Sequence, residues 1–205
     1  MTNRTPHKAV RRAARADHGV VRAILTEAFE HDPVACWLFP APEPRAHLQA
    51  AVYFQPLLAH PAAEADLIGD GEGASVWLTL AAGQPPYGAN ASAPIVAAGI
   101  ERLQALGEAL SVRHPDDAPH LYLPCMGVAT ARRGTGLGSA MLRHRLDHAD
   151  ARGLGAYLEA SSPRSRALYL RHGFEDHSAP VQVADSPPLW PMWRAPRKPT
   201  ATGEH

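Results

Sequence analysis

Apolar positions change period several times along the chain, and each change marks an element. Lys8 to Ala14 reads as a short first strand. Val20, Val21, Ile24, Leu25, Ala28 and Phe29 then share one face at helical spacing, with Asp17 placed as the N-cap. That helix is expected to stop near His31-Asp32, because Pro33 biases the residue before it away from helix. Val34 to Phe39 is a short aromatic-rich piece closed by Pro40 and Pro42, and a second helix is expected from Pro44 to His60. Ala65 to Ile68 and Ser75 to Leu80 read as two strands, joined by the hairpin signal Gly69-Asp70-Gly71-Glu72-Gly73.

Ala81 to Pro94 is a proline- and glycine-bearing loop of the length that serves as a lid or binding loop, followed by a helix from Ile95 to Val112. Leu121 to Val128 is a strand with two irregular members. Pro124 lacks a ladder donor and Gly127 lacks a side chain to pack, so the strand is expected to be bulged or splayed. A glycine-rich turn follows, then a helix to about Arg152 and a strand at Ala156 to Ala160. Ser162-Pro163 opens another helix as N-cap and first-turn proline, and Gly173 closes it. Phe174 onward and Leu189 to Arg194 read as closing strands. Strands and helices alternate through the second half, so the class is α/β or α+β.

Composition narrows the picture. With 205 residues, 45% hydrophobic and 20% charged, the chain fits one domain with a full-sized core, expected over 8–195 with a disordered tail at 196–205. The formal net charge is zero, so no bulk charge points to nucleic acid or to a membrane surface. Cys36 and Cys125 are far apart and in no motif, which leaves no disulfide framework and no zinc spacing. No apolar run approaches the roughly eighteen residues of a membrane helix. The first residues, Met-Thr-Asn-Arg-Thr-Pro, carry no apolar signal, and a soluble, cytoplasmic protein is expected.

The chemistry concentrates at Ala131 to Ala140, where a strand, a glycine turn and a helix N-terminus meet. Unpaired backbone N–H groups and the helix dipole make an anion site there, with Arg132 and Arg133 adding charge. A nucleotide P-loop would need Lys and Ser/Thr after its last glycine, but Gly138 is followed by Ser139 and Ala140. A dinucleotide fingerprint fails on the spacing of Gly138 and on the late position of the turn. His144 and His148 have i, i+4 spacing, but no Glu follows His144 and both fall on the polar helix face, so no metal is expected.

The remaining pattern, Arg-x-x-Gly-x-Gly at Arg133, Gly136 and Gly138, resembles the acetyl-CoA-binding motif of the GNAT N-acetyltransferases. Val128 five residues before Arg133, the run Ala156-Tyr157-Leu158-Glu159-Ala160-Ser161, and Ala167-Leu168-Tyr169 leading to His172-Gly173-Phe174 agree with it in order. Val76-Trp77-Leu78-Thr79, the stretch Leu158 to Arg164, and Trp190-Pro191-Met192-Trp193-Arg194 resemble the puromycin N-acetyltransferase-like branch, small-molecule enzymes of antibiotic resistance.

The resemblance implies a mixed central sheet of about six or seven strands, splayed between the fourth and fifth and flanked by helices. It implies acetyl-CoA as co-substrate, a small-molecule amine acceptor such as an antibiotic or aminoacyl metabolite, direct attack on the thioester, and a monomer or homodimer. Met126 and Val128 would contact the CoA arm through their backbones. Arg133, Gly134, Gly136, Gly138 and Ser139 would hold its pyrophosphate, and Ser165 stands where the family commonly has an asparagine reaching the arm. Tyr169 would protonate the departing thiolate, and Glu159 or solvent would take the proton of the amine. Arg164, Arg166 and Arg171 would either help neutralise the 3′-phosphate of CoA or form a solvated helix face, the latter being favoured, and His31-Asp32 and Trp37 fall either in the acceptor cleft or in caps and core. Two other readings fit the same motifs: a non-catalytic acyl-CoA-binding sensor or interaction module, and a protein lysine or N-terminal acetyltransferase.

Overall fold

The computed structural model describes residues 8–86 and 98–197. The elements run β1 (Val10–Arg12), α1 (His18–Phe29), α2 (Pro33–Leu38), α3 (Pro42–Gln49), a π-helical turn (Ala50–Phe54), α4 (Gln55–Ala59), β2 (Ala63–Ile68) and β3 (Gly73–Leu80). They continue with α5 (Ala98–Ser111), β4 (His120–Val128), α6 (Leu137–Ala151), β5 (Gly155–Ala160), α7 (Pro163–Arg171), β6 (Glu175–Asp176) and β7 (Trp190–Arg194). One seven-stranded mixed sheet has the order β1-β2-β3-β4-β5-β7-β6, and β4–β5 is its parallel pair.

Two apolar clusters cover the two faces of the sheet. On one face, Val21, Ile24 and Leu25 of α1 and Phe54, Leu57 and Leu58 pack on Val76, Leu78, Tyr122 and Tyr157. On the other, Leu142, Leu146 and Ala149 of α6 and Tyr169 of α7 pack on Leu121, Leu123, Ala156 and Leu158. Alternate residues of β4 and β5 thus face opposite ways. A third cluster joins α2, α5 and the 181–189 segment through Val34, Leu38, Phe39, Leu106, Leu110, Val181 and Leu189. Arg145 of α6 is buried against β2, where it holds Asp66 and Glu64. That pairing satisfies an otherwise costly interior charge.

Several local expectations are corrected. Asp17 precedes α1 without capping it by side chain. Its carboxylate instead accepts from the Ala14 N–H and from Arg11. α1 stops at Phe29, slightly before the expected His31-Asp32; Asp32 is extended ahead of the proline as expected (φ −66°, ψ 133°), and Pro33 itself opens α2 with Asp32 as the N-cap. The second long helix begins at Pro42 rather than Pro44 and is interrupted by the π turn, which places Pro56 at the start of α4. Most of the 81–94 loop, the start of the helix expected at Ile95, and the tail beyond Arg197 lie outside the described residues. Among the described residues no helix is long and apolar enough to cross a membrane.

Candidate active site

The site begins where β4 and β5 part. Their ladder pairs His120–Leu123 with Gly155–Leu158 and stops there, while β4 runs on to Val128 beside β3. Pro124 is the first residue past the last pair. It has no N–H to continue the ladder, and opposite it β3 is irregular between Val76 and Leu78. The Ala129 N–H donates to the Glu72 carbonyl at 2.9 Å. In an antiparallel ladder bonded residues alternate, so Gly127 and Cys125 also turn their polar groups toward β3. Met126 and Val128 therefore turn theirs into the gap left by β5. Gly127 has a different reason for being glycine than the expected splay. A Cβ on it would come within 2.4 Å of the Ala28 Cβ, so its absence lets α1 lie close on β4.

The glycine turn stands at the end of that gap. Gly134 (φ 81°) and Gly136 (φ 86°) are both left-handed, and a Cβ on either would meet nothing within 4 Å. They are glycines for conformation, not for space. Gly136 is the N-cap of α6, and the first intrahelical bond runs from the Ala140 N–H to its carbonyl at 3.0 Å. The N–H groups of Leu137, Gly138 and Ser139 thus have no partner inside the helix and project into the open turn. The side chains around them are engaged elsewhere. Arg133 donates to the Ala28 carbonyl at 2.8 Å. Arg132 is tied to Glu72, which also takes Lys8. The Ser139 hydroxyl is 3.0 Å from His172 Nε2. The Arg132 and Ser139 side chains thus each hold a protein partner, beside the open backbone N–H groups of the turn.

Ser165 is also spent. It stands at the third position of α7 in a capping box with Ser162, accepting the Ser162 N–H at 3.1 Å and donating to the Ser162 carbonyl at 2.9 Å. Arg166 pairs with Asp176. The rings of His144 and His148 meet edge to face at 4.9 Å. Among the described residues no cluster of three His, Cys, Asp or Glu forms a metal site.

Glu159 lies on β5 one residue past the last β4 pair, on the α1-side face of the sheet. Tyr122 and Tyr157 stand opposite each other in the parallel register. The Tyr122 hydroxyl donates to Glu159 Oε2 at 2.9 Å, and Tyr157 bonds to the same carboxylate. Burial pushes Glu159 up to about 7, against the pull of these phenols. Below them His114 packs edge-on against Tyr122 and Tyr157 at 4.8 and 4.7 Å. Its Nε2 lies 3.0 Å from His120 Nε2. His120 Nδ1 donates to the Ala118 carbonyl, so its Nε2 accepts from His114. Burial and the neighbouring His120 and His177 push His114 down to about 3.

Tyr169 comes from the opposite face. It is buried edge-on against Phe174 at 5.8 Å. Burial, with Cys125 and Asp32 nearby, pushes its phenol well above the ordinary tyrosine range, so it is fully protonated. Asp32 joins the start of α2 to the end of β5. Its Oδ1 caps α2 by accepting from Val34 and Ala35 (2.9 and 3.2 Å), and its Oδ2 accepts from Ser161 at 2.6 Å, just past β5. Tyr122, Tyr157 and Ser161 were missed as site residues. Tyr157 stood in the quoted motif run, but only the parallel register reveals its neighbour.

Residues 79–174 match the Acetyltransferase (GNAT) family, well beyond the glycine turn on its N-terminal side. A solved histone acetyltransferase HPA2 and related acetyltransferase from Corynebacterium glutamicum is 29% identical, with 95% of this chain and 99% of that chain covered at a TM-score of 0.67. The chain has the fold of the GNAT acetyltransferases, and its segment 79–174 carries that family's match. Two more distant structures share the GNAT fold. A mosquito arylalkylamine N-acetyltransferase like 5b is 14% identical at a TM-score of 0.66, covering 91% of this chain and 99% of that one. A GNAT family acetyltransferase from Brucella melitensis in complex with acetyl-CoA is 15% identical at a TM-score of 0.51, covering 98% and 95%.

Proposed function

We propose that this GNAT acetyltransferase moves the acetyl group of acetyl-CoA onto the primary amine of a small molecule. The observation that carries the reading is the end of the β4–β5 ladder at Leu123, with the Glu159 carboxylate at the next position of β5, where β7 alone still pairs that strand. The gap takes the pantetheine arm along the free groups of Met126 and Val128. The pyrophosphate sits on the N–H groups of Leu137, Gly138 and Ser139 at the start of α6, where the helix dipole favours it. Gly134 and Gly136 shape that turn. Arg133 supports it from the side through Ala28, and Ser165 supports α7 beneath it.

The proton account closes as follows. Glu159, anionic above about pH 7, takes one proton from the bound ammonium and returns it to solvent. The neutral amine attacks the thioester carbon, and a β4 backbone N–H in the gap stabilises the oxyanion. As the tetrahedral species collapses, the C–S bond breaks. Tyr169 gives its phenolic proton to the sulfur and receives the second nitrogen proton. Amide and free CoA thiol leave, with one proton released in all.

A small acceptor is favoured over a protein one by the third apolar cluster. Trp37 Nε1 donates to Asp185 at 2.9 Å, and Arg102 donates to the Trp37 carbonyl at 2.5 Å while its guanidinium lies 5.2 Å from the Trp37 ring. These bonds tie α2, α5 and the 181–189 segment together on the acceptor side, where a peptide would need an open groove. The puromycin-acetyltransferase-like motifs point the same way, toward an amine-bearing antibiotic or aminoacyl metabolite. The test is thiol release from acetyl-CoA across a panel of small primary amines, with products weighed by mass spectrometry. Release matched by acetylated amine supports the proposal; CoA binding without transfer to any amine in the panel contradicts it.

A further inference from the structure

We infer that Tyr53 sets the acyl length of the donor: its ring closes the apex of the β4–β5 gap and excludes thioesters longer than acetyl. This rests on the reading above, in which the CoA arm lies along that gap. Between Tyr122, opposite Leu78, and Cys125, opposite Val76, β4 carries two residues where β3 carries one. Leu123 and Pro124 therefore form a bulge, and it falls where the β4–β5 ladder ends. Cys125 turns its N–H toward β3. The peptide is planar and trans, so the Pro124 carbonyl on its other side points away from β3, into the space that β5 leaves. A carbonyl stranded there needs a partner. The Tyr53 hydroxyl supplies one, donating to it at 3.3 Å.

Tyr53 reaches that point from the π turn, an irregularity often placed at functional positions. Within the turn, Val52 packs on the α2–α5 cluster and Phe54 is buried in the α1-side cluster, against which Tyr53 lies half-buried. Phe54 braces the Tyr53 ring edge-on at 5.3 Å and is itself braced by Phe29 at 5.9 Å. The wall is thus stiff. With the pyrophosphate at the start of α6, the arm runs back past Val128 and Met126, and the thioester comes nearest the apex. Beyond the Met126 N–H, the next backbone group facing the gap is the Pro124 carbonyl, which Tyr53 holds. On the α6-side face the apex is filled by Leu123, Leu158 and Tyr169, all buried. On the α1-side face Tyr53 stands at it. A methyl group ends short of this wall, whereas a propyl chain has to push the ring off Pro124. One methylene too many in a closed pocket costs about tenfold or more in discrimination.

The experiment is calorimetry of the full chain with acetyl-CoA, butyryl-CoA and free CoA, with no amine present. Wild type is expected to bind acetyl-CoA about as well as CoA, and butyryl-CoA at least tenfold more weakly. Tyr53→Leu and Tyr53→Ala shorten the wall and are expected to bring butyryl-CoA to about the acetyl-CoA affinity, with CoA binding unchanged. Tyr53→Phe keeps the braced ring and is expected to keep the exclusion. Equal binding of the two thioesters by wild type overturns the inference. So does full discrimination in both shortened variants, or a Tyr53→Phe that admits butyryl-CoA as freely as Tyr53→Ala. Thiol release with amines tests the acetyltransferase reading separately. Acetyl and butyryl transfer at equal rates by wild type refutes the length limit alone, whereas selective acetyl-CoA binding without transfer refutes the reaction alone.

Discussion

The Tyr122 hydroxyl donates to Glu159 Oε2 across 2.9 Å, although 37 residues separate the two in sequence. The parallel register makes this possible by setting Tyr122 opposite Tyr157, so that Glu159 follows on the same face where the strands have begun to part. The bond pulls Glu159 downward while burial pushes it upward, and the balance leaves the carboxyl at about 7. A base with that value is half-ionised under ordinary cellular conditions and gives its proton back readily.

Activity should therefore rise with pH. With Glu159 as base, kcat/KM increases through a limb near pH 7. Tyr122→Phe removes a bond that favours the anion, so its limb moves to higher pH while the acetyl-CoA KM is kept. A pH–rate profile of both proteins checks this; coincident limbs would remove Tyr122 from the control of Glu159.

Glu159→Gln separates catalysis from stability. Turnover should fall about a hundredfold or more, since general-base catalysis supplies roughly that much. Stability should move the other way. A carboxyl raised from 4.5 to about 7 binds its proton more tightly in the folded protein. Its stabilising share is complete below 4.5 and is lost as pH rises through 7. Urea unfolding should thus show Glu159→Gln more stable than wild type at pH 8, with the gap closing by pH 5.

His114 predicts the opposite slope. Held down at about 3, it stays neutral in the fold while an unfolded chain protonates it near 6.5. Its share of stability is full above 6.5 and is lost as pH falls. The urea midpoint should drop between pH 7 and pH 5, and His114→Phe should flatten that drop. An unchanged slope in the variant would show that His114 carries none of it.

Tyr169→Phe should lower kcat about a hundredfold and leave the CoA dissociation constant unchanged, because in the proposed reaction the phenol protonates the departing sulfur. Calorimetry with CoA beside steady-state rates makes the comparison. Equal loss in both would place Tyr169 in binding.

Gly136→Ala and Gly138→Ala should differ. Gly136 is left-handed, so alanine there costs roughly 1–2 kcal/mol and distorts the cradle, raising the acetyl-CoA KM. Gly138 is not left-handed, and a Cβ on it would make ordinary contacts of 3.6–3.9 Å with Leu168, Met126 and Val128. Thermal unfolding should find Gly138→Ala close to wild type.

Much of this architecture could be read from local pattern. The Gly-x-Gly turn, the irregular strand around Pro124 and the Ser162–Pro163 helix start all express short-range geometry, and each stands where that geometry requires. What could not be read depends on contacts between distant segments. The partners that Arg132, Arg133 and Ser139 hold, Glu72, Ala28 and His172, come from elsewhere in the chain. The same blindness hid the Tyr122–Glu159 pair, which needs the parallel register, and the bond from Asp32 to Ser161 across 129 positions. Gly127 illustrates the limit from the other side. Its presence was legible, but its reason is the approach of Ala28, which only packing shows.

The central claim, that the parted strands and the glycine turn hold the acetyl donor, is tested most directly by mapping backbone amide shifts as CoA is added to the labelled protein. The account predicts the largest changes at Met126, Val128 and Gly134 to Ser139, with saturation at a single stoichiometry. Shifts centred instead on the groove between α1 and α4, around Arg15, His18 and Arg22, with the turn unmoved, would contradict it.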